Sequence, residues 1–114
     1  LCAQWGIQPT VLPMSDEPAR TLIATDGGAL PFQHWFVERQ WQPAVREVLL
    51  PDDVRASRAV MAALEKADLV ILAPSNPFVS LDPLLNVYPI RAMIMDVPEV
   101  VVAASPIVGG TAIK

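Results

Sequence analysis

The chain has 114 residues, enough for one domain with a hydrophobic core, and 53% of them are apolar while only 18% are charged. This balance excludes an intrinsically disordered chain, and no apolar run reaches the ~18 residues that a transmembrane helix needs. Eight basic residues against twelve acidic ones give a net charge of −4, which argues against binding to nucleic acid. The single cysteine, Cys2, excludes an internal disulfide, and we expect a cytoplasmic protein.

The first 25 residues predict a helix end followed by two short strands. Residues 1–5 form the end of a helix in this interpretation, and Gly6 takes the position at which glycine commonly terminates one. Short runs of strand-forming residues predict strands over residues 10–12 and 20–25, separated by a turn-rich loop.

Asp26-Gly27 is a strong hairpin signal. This pair favours a type I′ turn, in which both central residues have positive φ, and the chain would return in a strand through Ala29-Leu30. Residues 45–50 predict one further strand.

An aromatic segment follows the hairpin. Phe32, Trp35 and Phe36 recur at helical spacing and predict a helix over residues 32–40, with a strand as the competing interpretation. His34, the only histidine, lies among these rings and has no carboxylate at an orienting spacing in this interpretation. A partly buried packing role is therefore favoured over a role as general base.

The second half of the chain alternates helices with apolar strands. Pro51-Asp52-Asp53 predicts a helix start, because carboxylates favour the positive end of the helix dipole. Residues 69–73 and 100–104 are continuous apolar runs, typical of parallel strands buried on both faces. Residues 84–95 predict a helix that is broken or begins at Pro89. The predicted fold class is α/β: a Rossmann-like, mostly parallel sheet with helices on both faces, plus a β-hairpin.

The loops after the two apolar strands are the candidate ligand site, because open parallel sheets bind ligands beyond the carboxyl ends of their strands. The first loop is Pro74-Ser75-Asn76-Pro77, whose serine and asparagine offer neutral hydrogen-bond donors. The second, residues 105–111, contains Gly109 and Gly110, which permit close approach of a backbone to a ligand. Ordinary strand-to-helix turns are the alternative interpretation.

Other chemically suggestive residues favour structural roles. Ser15 and Asp16 suit a metal or ribose, but a turn before Pro18 explains them better. Asp52-Asp53 is expected to cap a helix rather than form a catalytic pair. The three tryptophans are expected to pack in the core or an interface, and nothing predicts an activated thiolate at Cys2.

Five segments, taken in order, resemble the 2-phospho-L-lactate transferases. They are residues 11–18, 32–37, 71–77, 89–91 and 102–110, and the resemblance covers essentially the whole chain. In that family this stretch is the middle of a longer chain. We therefore expect residues 1–114 to be a single partial domain, the middle segment of a larger three-layer domain, consistent with a chain that begins at Leu1 without methionine.

The resemblance implies a transferase of deazaflavin coenzyme F-420 biosynthesis. Such an enzyme moves a phospholactyl group, or in some members a phosphoenolpyruvyl group, from a guanylyl-activated donor to the hydroxyl of the deazaflavin FO. GMP leaves, and magnesium (Mg²⁺) is required. We expect the 114-residue chain alone to be inactive. Neither nucleic acid nor a membrane is an expected partner, and a homodimer is one possible assembly.

The resemblance also implies site residues. It assigns seven residues to the nucleotide and phosphate cleft: Pro74, Ser75, Asn76, Pro77, Ser105, Gly109 and Gly110. It adds three residues that would support the site from further away: Ser15, Asp16 and Arg91. The catalytic residues and magnesium ligands are not identifiable in this stretch and are expected elsewhere in the longer chain.

Two other classes of protein remain as alternatives. A family of similar fold, the nucleotide-sugar-binding gluconeogenesis factors, typically has a loop rich in glycine, serine and leucine where this chain has Pro74-Ser75-Asn76-Pro77. The loop therefore favours the transferase. A stand-alone interaction domain without a ligand is the other alternative.

Overall fold

The computed structural model describes residues 2–96 and 100–112. The strands within these ranges form three separate sheets. They are β1 Leu22–Thr25, β2 Gly28–Pro31, β3 Glu47–Leu49, β4 Leu69–Leu72, β5 Val100–Ala103, β6 Ile107–Val108 and β7 Thr111–Ala112. The helices are α1 Arg58–Glu65, α2 Asp82–Leu85 and α3 Ile90–Asp96, with π-helical turns at His34–Glu38 and Pro77–Leu81 and a 3₁₀ turn at Ala3–Trp5.

The first sheet is antiparallel, in the order β2-β1-β3, and confirms the predicted hairpin. The predicted type I′ turn is wrong, because positive φ falls on Gly28 (107°) and on neither central residue. Thr25 stabilises the observed turn: its hydroxyl donates to the Gly28 carbonyl at 2.8 Å and accepts from the Gly27 N–H at 3.2 Å. Arg46 clamps Asp26 with two hydrogen bonds of 2.8 and 2.9 Å, which raise the pKa of Arg46.

In the amino-terminal segment, the predicted turn at Gly6 is present, whereas the predicted strand is not. Gly6 ends the short 3₁₀ turn with φ 65°, as expected; Leu1 lies outside the described residues. The strand predicted over residues 10–12 does not form, since this stretch pairs with no strand in the described part of the chain and Val11 is 66% exposed. Strand propensity alone is not enough without a neighbour to complete the backbone hydrogen bonds.

Helix α1 begins later than the sequence predicts. Its cap is Ser57, whose hydroxyl accepts from the Val60 N–H at 3.3 Å, so the prediction that Asp52-Asp53 caps this helix is wrong. The stretch from Val54 to Ala56 is extended and bonds to the backbone of Tyr88 on both sides, at 3.0 and 2.8 Å. Both of those apolar side chains are buried, and this tertiary pairing overrides the local helix signal.

The βαβ unit is confirmed. Strands β4 and β5 pair in parallel, in register from Leu69↔Val100 to Leu72↔Ala103, and α2 and α3 connect them. Helix α3 begins directly after Pro89, which follows a cis peptide bond. The burial expected on both faces of β4 is wrong for the described residues, because Val70 is buried while Ile71 is 63% exposed.

The core lies on the Val70 face of β4, where α1 and α3 pack. It consists of small and branched aliphatic side chains: Val54, Ala56, Val70, Val87, Ile90 and Ile94. Leu72, the last residue of β4, still packs against this core, and the chain leaves it in the loop that follows. Within the described ranges no helix exceeds eight residues, so none is long enough to cross a membrane.

Candidate functional site

The loops that follow β4 and β5 meet at one cavity of about 620 Å³. Its lining has two parts: the turn after β4 with Pro106, and three aromatic side chains from the segment after the hairpin. The described lining residues are Phe32, Phe36, Trp41, Pro74, Ser75, Asn76, Val79, Ser80 and Pro106. Pro74, Ser75 and Asn76 of the predicted site residues line this cavity, and its aromatic side was not predicted; that a ligand binds there stays a prediction.

Asn76 shapes the turn after β4. Its side-chain oxygen Oδ1 accepts hydrogen bonds from the N–H groups of Phe78 at 3.0 Å and Val79 at 3.3 Å, and so caps the π-helical turn Pro77–Leu81. The N–H groups of Phe78 and Val79 are therefore not available to a ligand. The cap does not use the amide nitrogen Nδ2 of Asn76, which keeps its two donors.

The aromatic wall comprises Phe32, Phe36 and Trp41. Its segment is helical, with π-helical geometry over His34–Glu38, so the competing strand interpretation is wrong. The rings of Phe32 and Phe36 stack with centroids 5.5 Å apart and planes 13° apart, and Trp41 packs against Phe36 at 5.6 Å. Trp41 is 61% exposed, which corrects the expectation of a core residue. The aromatic spacing is the sequence signal that could have identified this wall.

In the loop after β5, the serine and the two glycines predicted to line the cleft stabilise turns of the loop itself. Ser105 uses its hydroxyl to accept from the Ile107 N–H at 3.1 Å, and the neighbouring Pro106 lines the cavity. Gly109 and Gly110 form the turn of the β6–β7 hairpin with φ 61° and 81°, the pattern of a type I′ turn. A Cβ added at either glycine would meet no other atom within 4 Å. The positive φ of the turn therefore explains the two glycines. Close packing against the described part of the chain does not.

The three supporting residues lie apart from the cavity. Ser15 is buried; its hydroxyl donates to the Arg55 carbonyl at 2.6 Å and accepts from the Glu17 N–H at 3.0 Å. Asp16 is exposed beside it. Arg91 lines a separate cavity of about 360 Å³ and lies 3.6 Å from a carboxylate oxygen of Asp82. Their role as ligand neighbours stays a prediction.

His34 is partly buried, as predicted. The view that no carboxylate orients it is wrong, because its Nδ1 lies 3.4 Å from Glu38, one helical turn later. Its Nε2 accepts from the Arg39 side chain at 3.3 Å. Both ring nitrogens thus have partners on their own helical segment, and His34 is not among the described lining of the cavity.

The described residues do not fit a magnesium site. No three of their His, Cys, Asp or Glu side chains cluster, and the cavity lining among residues 2–96 and 100–112 contains no carboxylate. The lining is also free of lysine and arginine, so a ligand there meets neutral donors and aromatic rings.

The fold and cavity together define an α/β protein with a candidate ligand site at the carboxyl ends of a parallel strand pair. The family model described as 2-phospho-L-lactate transferase CofD matches residues 1–113, and the chain belongs to this family. This confirms the resemblance seen in the sequence.

Three curated relatives illustrate the similarity. The chain is 39% identical to the 2-phospho-L-lactate transferase of Haloarcula marismortui and 39% identical to that of Methanothermobacter thermautotrophicus, with 97% and 92% of this chain covered. It is 34% identical to the phosphoenolpyruvate transferase of Mycolicibacterium smegmatis over 100% of its length. It spans about a third of these relatives: 33%, 33% and 37% of their lengths.

Solved structures support the fold alone. Two crystal structures of protein BH3568 from Bacillus halodurans, one described as a UPF0052 family member, match with TM-scores of 0.67 and 0.68 at 21% identity. They cover 89% and 90% of this chain, and 32% and 33% of the solved chains.

Proposed function

We propose that the complete protein carrying this chain is a transferase acting in the synthesis of a deazaflavin coenzyme. It would move a phospholactyl or phosphoenolpyruvyl group from a guanylyl-activated donor to the terminal hydroxyl of FO. Family membership over residues 1–113 is the observation that carries this proposal.

In the proposed reaction, the hydroxyl oxygen of FO attacks the phosphorus that bears the lactyl or enolpyruvyl group. A new P–O bond forms, the bond from that phosphorus to the bridging oxygen of the diphosphate breaks, and GMP leaves. The hydroxyl proton passes to solvent or to a base elsewhere in the protein. Such a reaction needs positioning and charge stabilisation and no covalent enzyme intermediate.

The cavity beyond β4 supports a part in positioning. Its volume of about 620 Å³ falls in the usual range for small-molecule sites. Ser75, Ser80 and the amide nitrogen of Asn76 supply neutral donors that suit the edge of a ribose or a phosphate oxygen. The charges of the diphosphate would have to be balanced by groups outside the described lining.

The choice of donor remains open within this proposal. The relatives include proteins named for both reactions, 2-phospho-L-lactate transferase and phosphoenolpyruvate transferase, at 39% and 34% identity. The magnesium that the family resemblance implies would likewise need ligands beyond the described residues.

A transfer assay with the complete protein tests the proposal. The protein is supplied with FO, magnesium and each of the two guanylyl-activated donors, and the product and GMP are measured. The proposal expects GMP and the phospholactyl or phosphoenolpyruvyl derivative of FO in equal amounts with at least one donor. No transfer with either donor, combined with tight binding of a UDP-sugar, would instead favour the nucleotide-sugar-binding alternative.

A further inference from the structure

The turn that carries Trp41 has an unusual backbone. Gln40 and Trp41 both have positive φ, 50° and 51°, although neither is glycine. Residues other than glycine rarely adopt a positive φ. Two such residues in succession persist only where the surrounding structure holds them. Such a conformation therefore invites a functional explanation.

Hydrogen bonds hold this turn from both sides. The Trp41 N–H donates to the Trp35 carbonyl at 3.1 Å, and the Gln42 N–H donates to the Arg39 carbonyl at 3.0 Å. The indole N–H of Trp35 donates to the Pro43 carbonyl at 2.9 Å, which closes the turn from the other side. These bonds hold the backbone at Trp41, and its ring packs against that of Phe36 with the centroids 5.6 Å apart.

The Trp41 indole does not lie in the core. Trp41 is 61% exposed and Phe36 is 45% exposed, yet both line the cavity that also contains Ser75, Asn76 and Ser80. The cavity therefore has an aromatic side and a polar side. A flat ring with polar substituents complements both sides, because ring faces stack on aromatic side chains while their edges need donors and acceptors.

We propose that Trp41, supported by Phe36, is the stacking surface for a flat heteroaromatic ring of the substrate. This inference rests on the proposed function, which offers two such rings: the deazaflavin ring of FO and the guanine base of the donor. Both share the chemistry that the wall recognises. A backbone already held in this turn needs less ordering when a ligand binds, which gives the strained conformation a role in binding.

Substitutions at Trp41 in the complete protein test this inference. Trp41→Leu removes the aromatic face, Trp41→Phe retains one, and Trp5→Leu is the matched control, because Trp5 is 71% exposed and is not among the described cavity lining. Calorimetric titrations with FO and with GDP measure binding, and melting curves report folding. Phe36→Leu is measured in parallel as a second test of the wall in case Trp41→Leu does not fold.

We expect Trp41→Leu to weaken one of the two ligands by about tenfold and Trp41→Phe to stay within about threefold of wild type. Trp5→Leu should match wild type. The ligand whose affinity falls identifies the ring that stacks on Trp41. A loss for FO indicates the deazaflavin, and a loss for GDP indicates the guanine. Phe36→Leu should weaken the same ligand.

Several results would overturn the inference. The first is unchanged affinity for both ligands in Trp41→Leu. The second is an equal loss of affinity in Trp41→Leu and Trp41→Phe. The third is that the wild-type protein binds neither FO nor GDP. A lower melting temperature with unchanged affinities would mean that Trp41 packs against another part of the protein. Failure of the transfer assay with ring binding still dependent on Trp41 would remove the proposed function and leave this inference standing.

Discussion

The core beneath β4 and the aromatic wall use apolar side chains in opposite ways. In the core, Ile90 is 3% exposed and Ile94 is 9% exposed, and they share one cluster with Val54, Ala56, Val70 and Val87. In the wall, Phe36 and Trp41 are 45% and 61% exposed and border a cavity. The core residues stabilise the fold, whereas the wall residues leave apolar surface where a ligand could cover it.

The largest expected effect distinguishes two neighbouring residues of α3. Ile94→Ala should lower the free energy of unfolding by about 2–5 kcal/mol, because it removes buried methyl groups and leaves a cavity. Met95, which is 78% exposed, is the matched control, and Met95→Ala should change that free energy by less than about 0.5 kcal/mol. Chemical denaturation of both variants measures these values. An equal loss in both would mean that the core does not end where the exposure indicates.

A smaller effect is expected from removing helix caps. Asn76→Ala and Ser57→Ala each delete a side-chain acceptor for N–H groups at a helix start, and each should cost about 1 kcal/mol of stability. Only the first lines the cavity, so GDP affinity should fall, by roughly 5- to 150-fold, in Asn76→Ala alone. Weaker GDP binding in both variants would show that affinity merely follows stability.

The smallest expected effect concerns His34. Its two ring nitrogens are occupied by Glu38 and Arg39, and it does not belong to the described cavity lining. His34→Gln should keep turnover within about tenfold, equivalent to ~1.4 kcal/mol in the barrier. Steady-state kinetics check this, and a thousandfold loss with an intact fold would assign His34 a part in the reaction.

Sequence patterns predicted the elements that neighbouring residues along the chain signal. The parallel pair β4 and β5, the hairpin of β1 and β2 and the turn at Gly6 follow from apolar runs and turn residues. The start of α1 was misplaced because Val54 and Ala56 pair with the backbone of Tyr88, a contact that no local pattern reveals. Such a tertiary contact can override the local preference for a helix start.

The candidate site was predicted in the same partial way. Ligands of open parallel sheets generally bind beyond the carboxyl ends of the strands, so Ser75 and Asn76 were predicted as site residues, and both line the cavity. The contribution of Trp41 was missed because it depends on a left-handed turn with no glycine to signal it. The hairpin role of Gly109 and Gly110 was missed because the pair was assigned to a ligand loop, although Gly-Gly between two short strands is itself a hairpin signal.

Asn76→Asp provides the most direct test of the claim that the cavity beyond β4 binds the donor. Aspartate keeps an oxygen that can accept from Phe78 and Val79, so the cap and the melting temperature should be preserved. It replaces the amide donors by a negative charge, which should repel a diphosphate. Calorimetric titration of GDP into wild-type protein and Asn76→Asp should show affinity weakened by about tenfold or more at unchanged melting temperature. Equal GDP affinity in the two proteins would contradict the account and leave Asn76 with a capping role only.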